Sequence, residues 1–209
     1  MSEYRNIKAI IIGSSGTGKT NIIKAAIDEP FEEDNKSTLT SSFVSKNIKI
    51  EKKTYHLDLW DTAGQEKYKS LTKIFIVDSK IVIFVYDITQ RKTFDELDFW
   101  IKITKEILGD YPIYALFGNK KDLLLEKVID EEEGKKKAEE IGAYFKLTSA
   151  RSERDKINEY IKELIKMYLN KYKSNCSDIF HRDREESFTL QYIAKSNDNK
   201  KGFRCCEKS

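Results

Sequence analysis

Short apolar runs alternate with longer amphipathic segments along most of the chain, a pattern that predicts strands and helices in turn. Residues 80–87 are nearly continuous apolar, which is typical of a central strand covered on both faces. The segments on either side of a charged turn at 51–53 alternate with period two, which predicts a β-hairpin. Strand character is found in the segments 7–12, 43–50, 54–60, 80–87, 112–117 and 143–147.

Between these strands, apolar residues recur at helical spacing. Phe94, Leu97 and Trp100, for example, mark one buried stripe. Asp130 followed by Glu133 has the spacing of a capping box, which predicts a capped helix start. The pattern predicts helices over 19–27, 93–108, 130–142 and 155–172.

The order of these elements predicts the fold class. Strands that alternate with helices indicate an α/β protein with a mostly parallel six-stranded sheet and helices on both faces. The hairpin adds one antiparallel edge strand. Such sheets bind ligands at the carboxyl ends of their strands, where the polar motifs of this chain also fall. Periodicity fades from about Lys173, which predicts a domain at 4–172 and a flexible tail at 173–209.

Residues 13–20 read G-S-S-G-T-G-K-T and fit the phosphate-binding loop pattern between a strand and a helix. Glycines let backbone N–H groups approach phosphate oxygens, and the helix N-terminus adds a positive dipole. Lys19 would reach the β- and γ-phosphates, and the Thr20 hydroxyl would bind Mg²⁺. A Gly/Ser-rich turn with a chance lysine is the alternative, and the flanking strand and helix disfavour it.

Composition narrows the classes of function. The 209 residues carry 38 basic and 35 acidic side chains, and this near balance disfavours nucleic-acid binding through bulk charge. The cysteines, Cys176, Cys205 and Cys206, lie near the C-terminus, so no disulfide framework or zinc-ligand spacing involves the body of the chain. We expect no signal peptide, and no apolar run is long enough to predict a transmembrane helix.

Residues 119–122, N-K-K-D, resemble the guanine-specificity motif of small GTPases. The Asp122 carboxylate can accept hydrogen bonds from guanine N1–H and the exocyclic amine, and adenine lacks that pair of donors. The resemblance implies that Asn119 braces neighbouring loops and that the Lys120 stem covers one face of the base. Residues 148–151, T-S-A-R, resemble the companion T-S-A-K motif with arginine in place of lysine. Taken alone, this second motif would be explained equally well by a strand-end turn.

Residues 60–66, W-D-T-A-G-Q-E, match a further signature of small GTPases throughout. The resemblance implies that Asp61 holds Mg²⁺ through water and that the Gly64 N–H senses the γ-phosphate. Gln65 would orient the attacking water. Thr38 occupies the position of the threonine that completes Mg²⁺ coordination in the triphosphate state.

Together these motifs imply a site for GTP or GDP with Mg²⁺ as cofactor. Phe31 matches the aromatic side chain that packs edgewise near guanine, although ordinary loop chemistry would also explain Phe31 and Thr38. The implied catalytic residues are Lys19, Thr38 and Gln65, and the implied metal ligands are Thr20, Thr38 and Asp61. The implied nucleotide-binding residues are Ser15, Gly16, Thr17, Gly18, Lys19, Thr20, Asn21, Phe31, Thr38, Asp61, Gly64, Asn119, Lys120, Asp122, Ser149, Ala150 and Arg151.

Within the small GTPases the chain most resembles the Rab family, over residues 4–172 and the last few residues. Similar segments lie at 55–60, 67–72 and 84–89. The resemblance implies an aromatic cluster that connects the two switch segments to partners, made of Phe43, Trp60 and Phe75. Segments 39–42 and 75–79 depart from the usual Rab pattern. These segments face partners, so the resemblance does not identify the effectors. It still implies the nucleotide chemistry.

The chain ends C-C-E-K-S, which resembles a double-cysteine arrangement that Rabs use for geranylgeranylation. The resemblance implies lipid on Cys205 and Cys206. A C-a-a-X box read from Cys206 would contain Glu207 and Lys208, which are not aliphatic. A free thiol pair is the alternative, and Cys176 is expected to be unmodified, with palmitoylation as its alternative. Basic and acidic residues are too evenly mixed in the tail for a strong polybasic anchor.

The Rab resemblance implies a slow GTPase switch that regulates vesicle trafficking at the cytoplasmic face of intracellular membranes and cycles with the cytosol. Its implied partners are guanine nucleotide, an exchange factor, a GTPase-activating protein, effectors, a GDP-dissociation inhibitor and the prenyl transferase machinery, and no nucleic acid. A P-loop kinase or ATPase is the rival enzyme class, which residues 119–122 disfavour. A non-hydrolysing scaffold is disfavoured because the implied catalytic residues are present. Ser2 argues against an Arf-type protein, and the terminal cysteines against a Ran-type protein.

Overall fold

The computed structural model of the chain describes residues 6–33, 42–62 and 74–173. Some of the predicted functional residues lie outside these ranges, namely Thr38, Gly64, Gln65, Cys176, Cys205 and Cys206. Their roles therefore stay predictions.

The strands are β1 (Asn6–Ile12), β2 (Ser42–Ile50), β3 (Lys53–Asp61), β4 (Ile81–Asp87), β5 (Ile113–Asn119) and β6 (Tyr144–Leu147). The α-helices are α1 (Lys19–Ala26), α2 (Arg91–Asp95), α3 (Leu97–Leu108), α4 (Glu131–Ile141) and α5 (Arg154–Lys173). A helical turn lies at 74–76, and a 3₁₀-helix covers Lys121–Glu126.

The strands form one six-stranded sheet in the order β2-β3-β1-β4-β5-β6. β2 runs antiparallel to β3 at one edge, and the other neighbouring pairs are parallel. The predicted fold class is therefore confirmed, including the antiparallel edge strand. The carboxyl ends of β1, β3, β4, β5 and β6 lie at the same edge of the sheet, which is where the predicted site falls.

Helices cover both faces of this sheet, which explains the apolar character of its central strands. Every residue of β4 and β5 is buried. Successive side chains of a strand point to opposite faces. On one face Phe84 and Tyr86 share a hydrophobic cluster with Trp100 of α3. On the other, Phe117 of β5 meets the ring of Tyr160 on α5, with the ring centroids 6.3 Å apart.

The single helix predicted over 93–108 is two helices in the structure, α2 and α3, separated at Glu96. The Glu96 carboxylate accepts a hydrogen bond from the Ser14 hydroxyl of the phosphate loop and lies 3.7 Å from Lys92 Nζ. The break thus lies where the helices meet the phosphate loop, a long-range contact that helical periodicity does not reveal. The predicted apolar stripe is buried, as Phe94, Leu97 and Trp100 show.

Helix α4 follows Asp130 as predicted, but the predicted capping box is wrong. Asp130 makes no side-chain hydrogen bond to the helix backbone and instead accepts one from Lys127 Nζ at 2.7 Å. Glu133 pairs with Arg91 of α2. Cations from neighbouring segments therefore engage the carboxylates that the pattern assigned to backbone capping.

The chain divides into two compact units, Met1–Leu169 and Asn170–Ser209. In the second unit the structure describes residues 170–173, which end α5. Of the helices that the structure describes, none combines the length and apolar character needed to cross a membrane.

Gly134 lies in α4 where a side chain has no room, because an added Cβ would come within 2.4 Å of the Tyr86 hydroxyl and 2.7 Å of the Phe145 ring. Replacing an interior helical glycine by alanine ordinarily stabilises a helix by roughly 0.5–1 kcal/mol. Overpacking costs about 1–3 kcal/mol, so Gly134→Ala should lower the free energy of unfolding. Guanidinium denaturation followed by circular dichroism measures this change.

Tyr86→Phe supplies the control, because the Tyr86 hydroxyl is buried without a hydrogen-bond partner among the described atoms. Its removal should leave stability unchanged or higher, and it should relieve part of the cost of Gly134→Ala. A Gly134→Ala variant that is more stable than the parent would contradict the close packing described here.

Candidate functional site

The phosphate loop depends on glycine for its shape. Residues 13–18 join β1 to α1, and Gly18 has a φ of 91°, in the left-handed region. A Cβ at Gly18 would lie 2.4 Å from Asn119 Nδ2, so both the conformation and the space favour glycine. Ser15 and Gly16 lie exposed at the tip of the loop. The tip is therefore open to a ligand, while the base of the loop packs against β5.

Lys19 is a buried cation inside this loop. Its Nζ donates to the carbonyl oxygens of Gly13 and Ser14, each at 2.9 Å, and the residue is only 6% exposed. Burial lowers the pKa of Lys19 to about 8, and the charge of Asp61 opposes this shift only in part. An anion bound at the loop would supply the counter-charge that the Lys19 ammonium needs.

Thr20 and Asp61 meet where Mg²⁺ is predicted to bind. Thr20 Oγ1 donates to Asp61 Oδ2 at 2.7 Å. Asp61 is 4% exposed, and its Oδ1 has no hydrogen-bond partner among the described atoms. Burial raises the pKa of Asp61, although the hydrogen bond from Thr20 and the charge of Lys19 oppose the shift. A buried carboxylate oxygen beside a hydroxyl fits a hard cation such as Mg²⁺.

Thr20 and Asp61 fit a site in which the metal ion is also bound by phosphate oxygens of a ligand. Within the three described ranges, no group of three or more His, Cys, Asp or Glu side chains could hold a metal ion. Mg²⁺ usually binds through one or two carboxylates, substrate phosphates and several waters. The residues present therefore fit a cation that shares its ligands with a bound phosphate.

Asn119, at the end of β5, joins the phosphate loop to the segment after β6. Its Nδ2 donates to the Thr17 carbonyl at 2.8 Å. Its Oδ1 accepts from the Thr148 hydroxyl at 3.2 Å and from the Ala150 N–H at 3.3 Å. The residue is 2% exposed. These hydrogen bonds connect the phosphate loop to residues 148 and 150 through one buried side chain.

The segments at 119–122 and 148–151 also contact each other directly. Ser149 Oγ donates to Asp122 Oδ1 at 2.5 Å, and the Lys121 N–H donates to the Thr148 carbonyl at 2.9 Å. Asp122 is exposed, whereas Ser149 is buried. A buried hydroxyl therefore orients the exposed carboxylate that is predicted to bind the base.

Asp87 is a site residue that the sequence analysis missed. It ends β4, is fully buried, and lies 2.7 Å through its Oδ2 from the ammonium of Lys120. Its Oδ1 accepts from the Thr89 N–H at 2.9 Å and from the Thr89 hydroxyl at 2.7 Å. This carboxylate fixes the side chain whose stem is predicted to cover the base. A carboxylate at the carboxyl end of a fully buried strand was the signal available in the sequence.

Two further predicted residues, Asn21 and Phe31, lie in α1 and in the segment that follows it. Phe31 is half-buried in the segment after α1. Asn21 holds that segment through both backbone groups of Glu32: Nδ2 donates to the Glu32 carbonyl at 3.0 Å, and Oδ1 accepts from the Glu32 N–H at 3.4 Å. Arg151 is exposed. The hydrogen bonds of Asn21 connect α1 to the segment that contains Phe31.

The predicted aromatic cluster is assembled beside this edge. Phe43 and Trp60 stack with centroids 5.0 Å apart, and Trp60 and Phe75 lie 5.5 Å apart. Phe43 is 58% exposed and the neighbouring Ile74 is 68% exposed. Lys8 Nζ lies 4.9 Å from the Trp60 ring centroid. The cluster therefore presents apolar surface to solvent, while the Trp60 ring packs against Phe43, Phe75 and Lys8.

A protein-family model described as the Ras family matches residues 8–170. The chain belongs to the Ras family. Ras-family proteins are small GTPases, which bind GTP and GDP and hydrolyse GTP. The matched range includes the phosphate loop, Asp61, and the segments at 119–122 and 148–151.

Two relatives illustrate the likeness of this Ras-family chain to known proteins. It is 37% identical over 143 residues to the Ras-related protein RGP2 of Oryza sativa subsp. japonica, a match that covers 68% of this chain and 66% of the relative. It is 36% identical over 162 residues to the Ras-related protein Rab-21 of Geodia cydonium, over 78% of this chain and 70% of the relative. The chain thus spans slightly under two thirds of the first relative's length.

Asn119→Ala should destabilise the nucleotide-free protein. The change leaves the Thr17 carbonyl, the Thr148 hydroxyl and the Ala150 N–H without their amide partner, and each unsatisfied buried group costs about 1–3 kcal/mol. We expect a loss of at least about 2 kcal/mol in unfolding free energy. Urea denaturation measures it.

Lys136→Ala is the control, because Lys136 is an exposed α4 side chain outside this network. Its stability should stay within about 0.5 kcal/mol of the parent. An Asn119→Ala variant equally close to the parent would show that the amide does not hold the loops together.

Proposed function

We propose that this chain is a Rab-like switch: a GTPase that alternates between GDP and GTP states and regulates vesicle trafficking on membranes. Family membership supplies the nucleotide chemistry. The Rab-like part is supported by three features: the exposed aromatic cluster of Phe43, Trp60 and Phe75, the likeness to a relative named Rab-21, and the terminal double cysteine.

One observation carries the nucleotide part of the proposal. The Asn119 amide holds the phosphate loop and the base-reading segments at a single edge of the sheet. A ligand that fills this edge needs phosphates at one end and a base with two adjacent donors at the other. A guanine nucleotide has both features.

Each described residue has a proposed role toward that ligand. Lys19 and the N–H groups of the phosphate loop bind the phosphates, since the loop offers a cation and a helix N-terminus. Thr20 and Asp61 hold Mg²⁺, together with Thr38. Bound there, Mg²⁺ neutralises the charge that develops on the phosphate oxygens. Gln65 orients the attacking water.

Hydrolysis by the chain alone should be slow. Between Asp28 and Phe43 there is no arginine to act in cis, and intrinsic turnover without such a residue is slow. A GTPase-activating protein would supply the missing group. The GTP state would be read through the segments around Thr38 and Gln65, because the family resemblance gives both residues roles toward groups that leave with the γ-phosphate.

A nucleotide competition assay tests the enzyme class. Labelled GTP should be displaced by unlabelled GTP and GDP, and only weakly by ATP, while a kinase or ATPase would show the reverse order. Gln65→Leu should retain GTP affinity and hydrolyse GTP more slowly than the parent in a single turnover. Parental hydrolysis by Gln65→Leu would remove that residue from the mechanism.

Asp122→Asn should trade guanine for xanthine. Guanine directs N1–H and its amine toward the Asp122 carboxylate, whereas xanthine presents a carbonyl in place of the amine and suits an amide. The loss for GTP should be about 1–3 kcal/mol, because a hydrogen-bonding group is left mismatched. Competition between GTP and xanthosine triphosphate measures the exchange of preference.

Glu126→Gln is the matched control for this charge change, since Glu126 ends the 3₁₀-helix that contains Asp122. It should keep the parental preference for GTP. If Asp122→Asn also kept that preference, the base-reading role would be lost.

The membrane part of the proposal is tested at the C-terminus. One lipid chain gives marginal, reversible attachment, and stable anchoring takes two signals, so both Cys205 and Cys206 should carry prenyl groups. Cys205→Ser should partition between membrane and cytosol, and the double serine variant should be released. Cell fractionation with mass analysis of the C-terminal peptide measures both effects.

Cys176→Ser is the control for this experiment and should fractionate like the parent. An unmodified C-terminal peptide from membrane-bound parental protein would overturn the lipid assignment and indicate a protein anchor.

A further inference from the structure

The segment at 29–33, which follows α1, is tethered to that helix from one side. Asn21 binds both backbone groups of Glu32, and Lys24 Nζ lies 2.5 Å from the Glu32 carboxylate. The Glu29 N–H donates to the Lys24 carbonyl at 2.8 Å. These contacts join residues close in sequence and give the segment a defined path.

The same segment is also contacted by two arginines from a distant part of the chain. Arg151 Nη2 lies 3.2 Å from Glu33 Oε1. Arg154 donates through Nη2 to the Glu29 carbonyl. Arg151 precedes α5 and Arg154 begins it, so both contacts connect the amino-terminal part of the chain to the connection between β6 and α5.

The position of these contacts relates them to the nucleotide site. Arg151 comes directly after Ser149 and Ala150. Ser149 donates a hydrogen bond to Asp122, and the Ala150 N–H donates one to Asn119. Phe31 lies between the two residues of the segment that the arginines contact. If Asp122 holds the base and Phe31 flanks it, then Arg151 belongs to one segment beside the base and Glu33 belongs to the other.

We propose that the ion pair between Glu33 and Arg151, the clasp, slows release of the bound guanine nucleotide. The inference rests on the nucleotide site proposed above. Release of the base requires the segment around Phe31 to separate from the loop that contains Ala150, and the clasp opposes that separation. Its two side chains act on the residence time of the ligand without contacting the reacting phosphates.

The chemistry of the pair sets the size of the effect. The Arg151 and Glu33 side chains are 58% and 75% exposed, so water and salt screen their attraction. An exposed pair of this kind changes an equilibrium or a rate by a small factor. We therefore expect the clasp to alter the GDP dissociation rate by about two- to five-fold, and not to decide whether GDP binds.

The pair has no evident role in stabilising the core. Both residues are exposed, and Asn21 and Lys24 hold the segment at 29–33 without it. Arginine is well suited to such a contact, because its planar guanidinium can bind a carboxylate with a defined orientation that an ammonium does not impose.

The test is a double-mutant cycle on the dissociation of fluorescently labelled GDP from the full-length chain, in excess unlabelled GDP and Mg²⁺. Glu33→Gln and Arg151→Gln should each speed dissociation by about two- to five-fold, and the double variant should be no faster than either alone. Exchanging the charges, with Glu33→Arg and Arg151→Glu together, should restore slow release. High salt should reduce the difference between the parent and Glu33→Gln.

Glu133→Gln is the matched control, because Glu133 forms an ion pair with Arg91 that likewise joins two elements at the surface. It should dissociate GDP at the parental rate. Single variants that release GDP at the parental rate, or single effects that simply add in the double variant, would overturn the clasp while leaving the nucleotide site intact. A parent that binds no labelled GDP would overturn the nucleotide site itself, and the clasp with it.

Discussion

The side-chain amide of Asn119 is the contact on which the arrangement of the site depends. It reaches Thr17, which is 102 residues away in sequence, and Ala150, which is 31 residues away. Parallel strands bring these segments to one edge of the sheet, but strand pairing alone leaves the loops free to move. A buried amide with both polar atoms occupied removes that freedom. The contacts of Asn119 therefore connect the phosphate loop directly to the segments at 119–122 and 148–151.

Around that unit the protein keeps charges that its own residues do not fully balance. Lys19 is surrounded by carbonyl oxygens, and one oxygen of Asp61 has no partner among the described atoms. Asp87, by contrast, is buried with its partners in place, including Lys120. The difference separates two kinds of buried charge. Asp87 serves the structure of the site, whereas Lys19 and Asp61 are the residues that we propose bind phosphate and Mg²⁺.

The features that could be predicted from the sequence are those that depend on residues close together along the chain. The strands and the phosphate loop were predictable, because apolar periodicity and glycine spacing are short-range patterns. The break at Glu96 and the pairing of Lys120 with Asp87 were not, since each depends on which side chains the sheet brings together. The capping box at Asp130 was wrong for the same reason. The spacing of Asp130 and Glu133 fits a capping box, but in the structure Asp130 pairs with Lys127 and Glu133 pairs with Arg91.

The register of the β2–β3 hairpin has a consequence for redesigning the protein. Ser42 pairs with Asp61 and Phe43 with Trp60, so the first residues of β2 lie beside the last residues of β3. A slip of this pairing by one residue would turn the side chains of one strand to the opposite face of the sheet. Phe43 would then no longer lie opposite Trp60. A redesign of the protein must therefore keep the register of this hairpin as well as its aromatic residues.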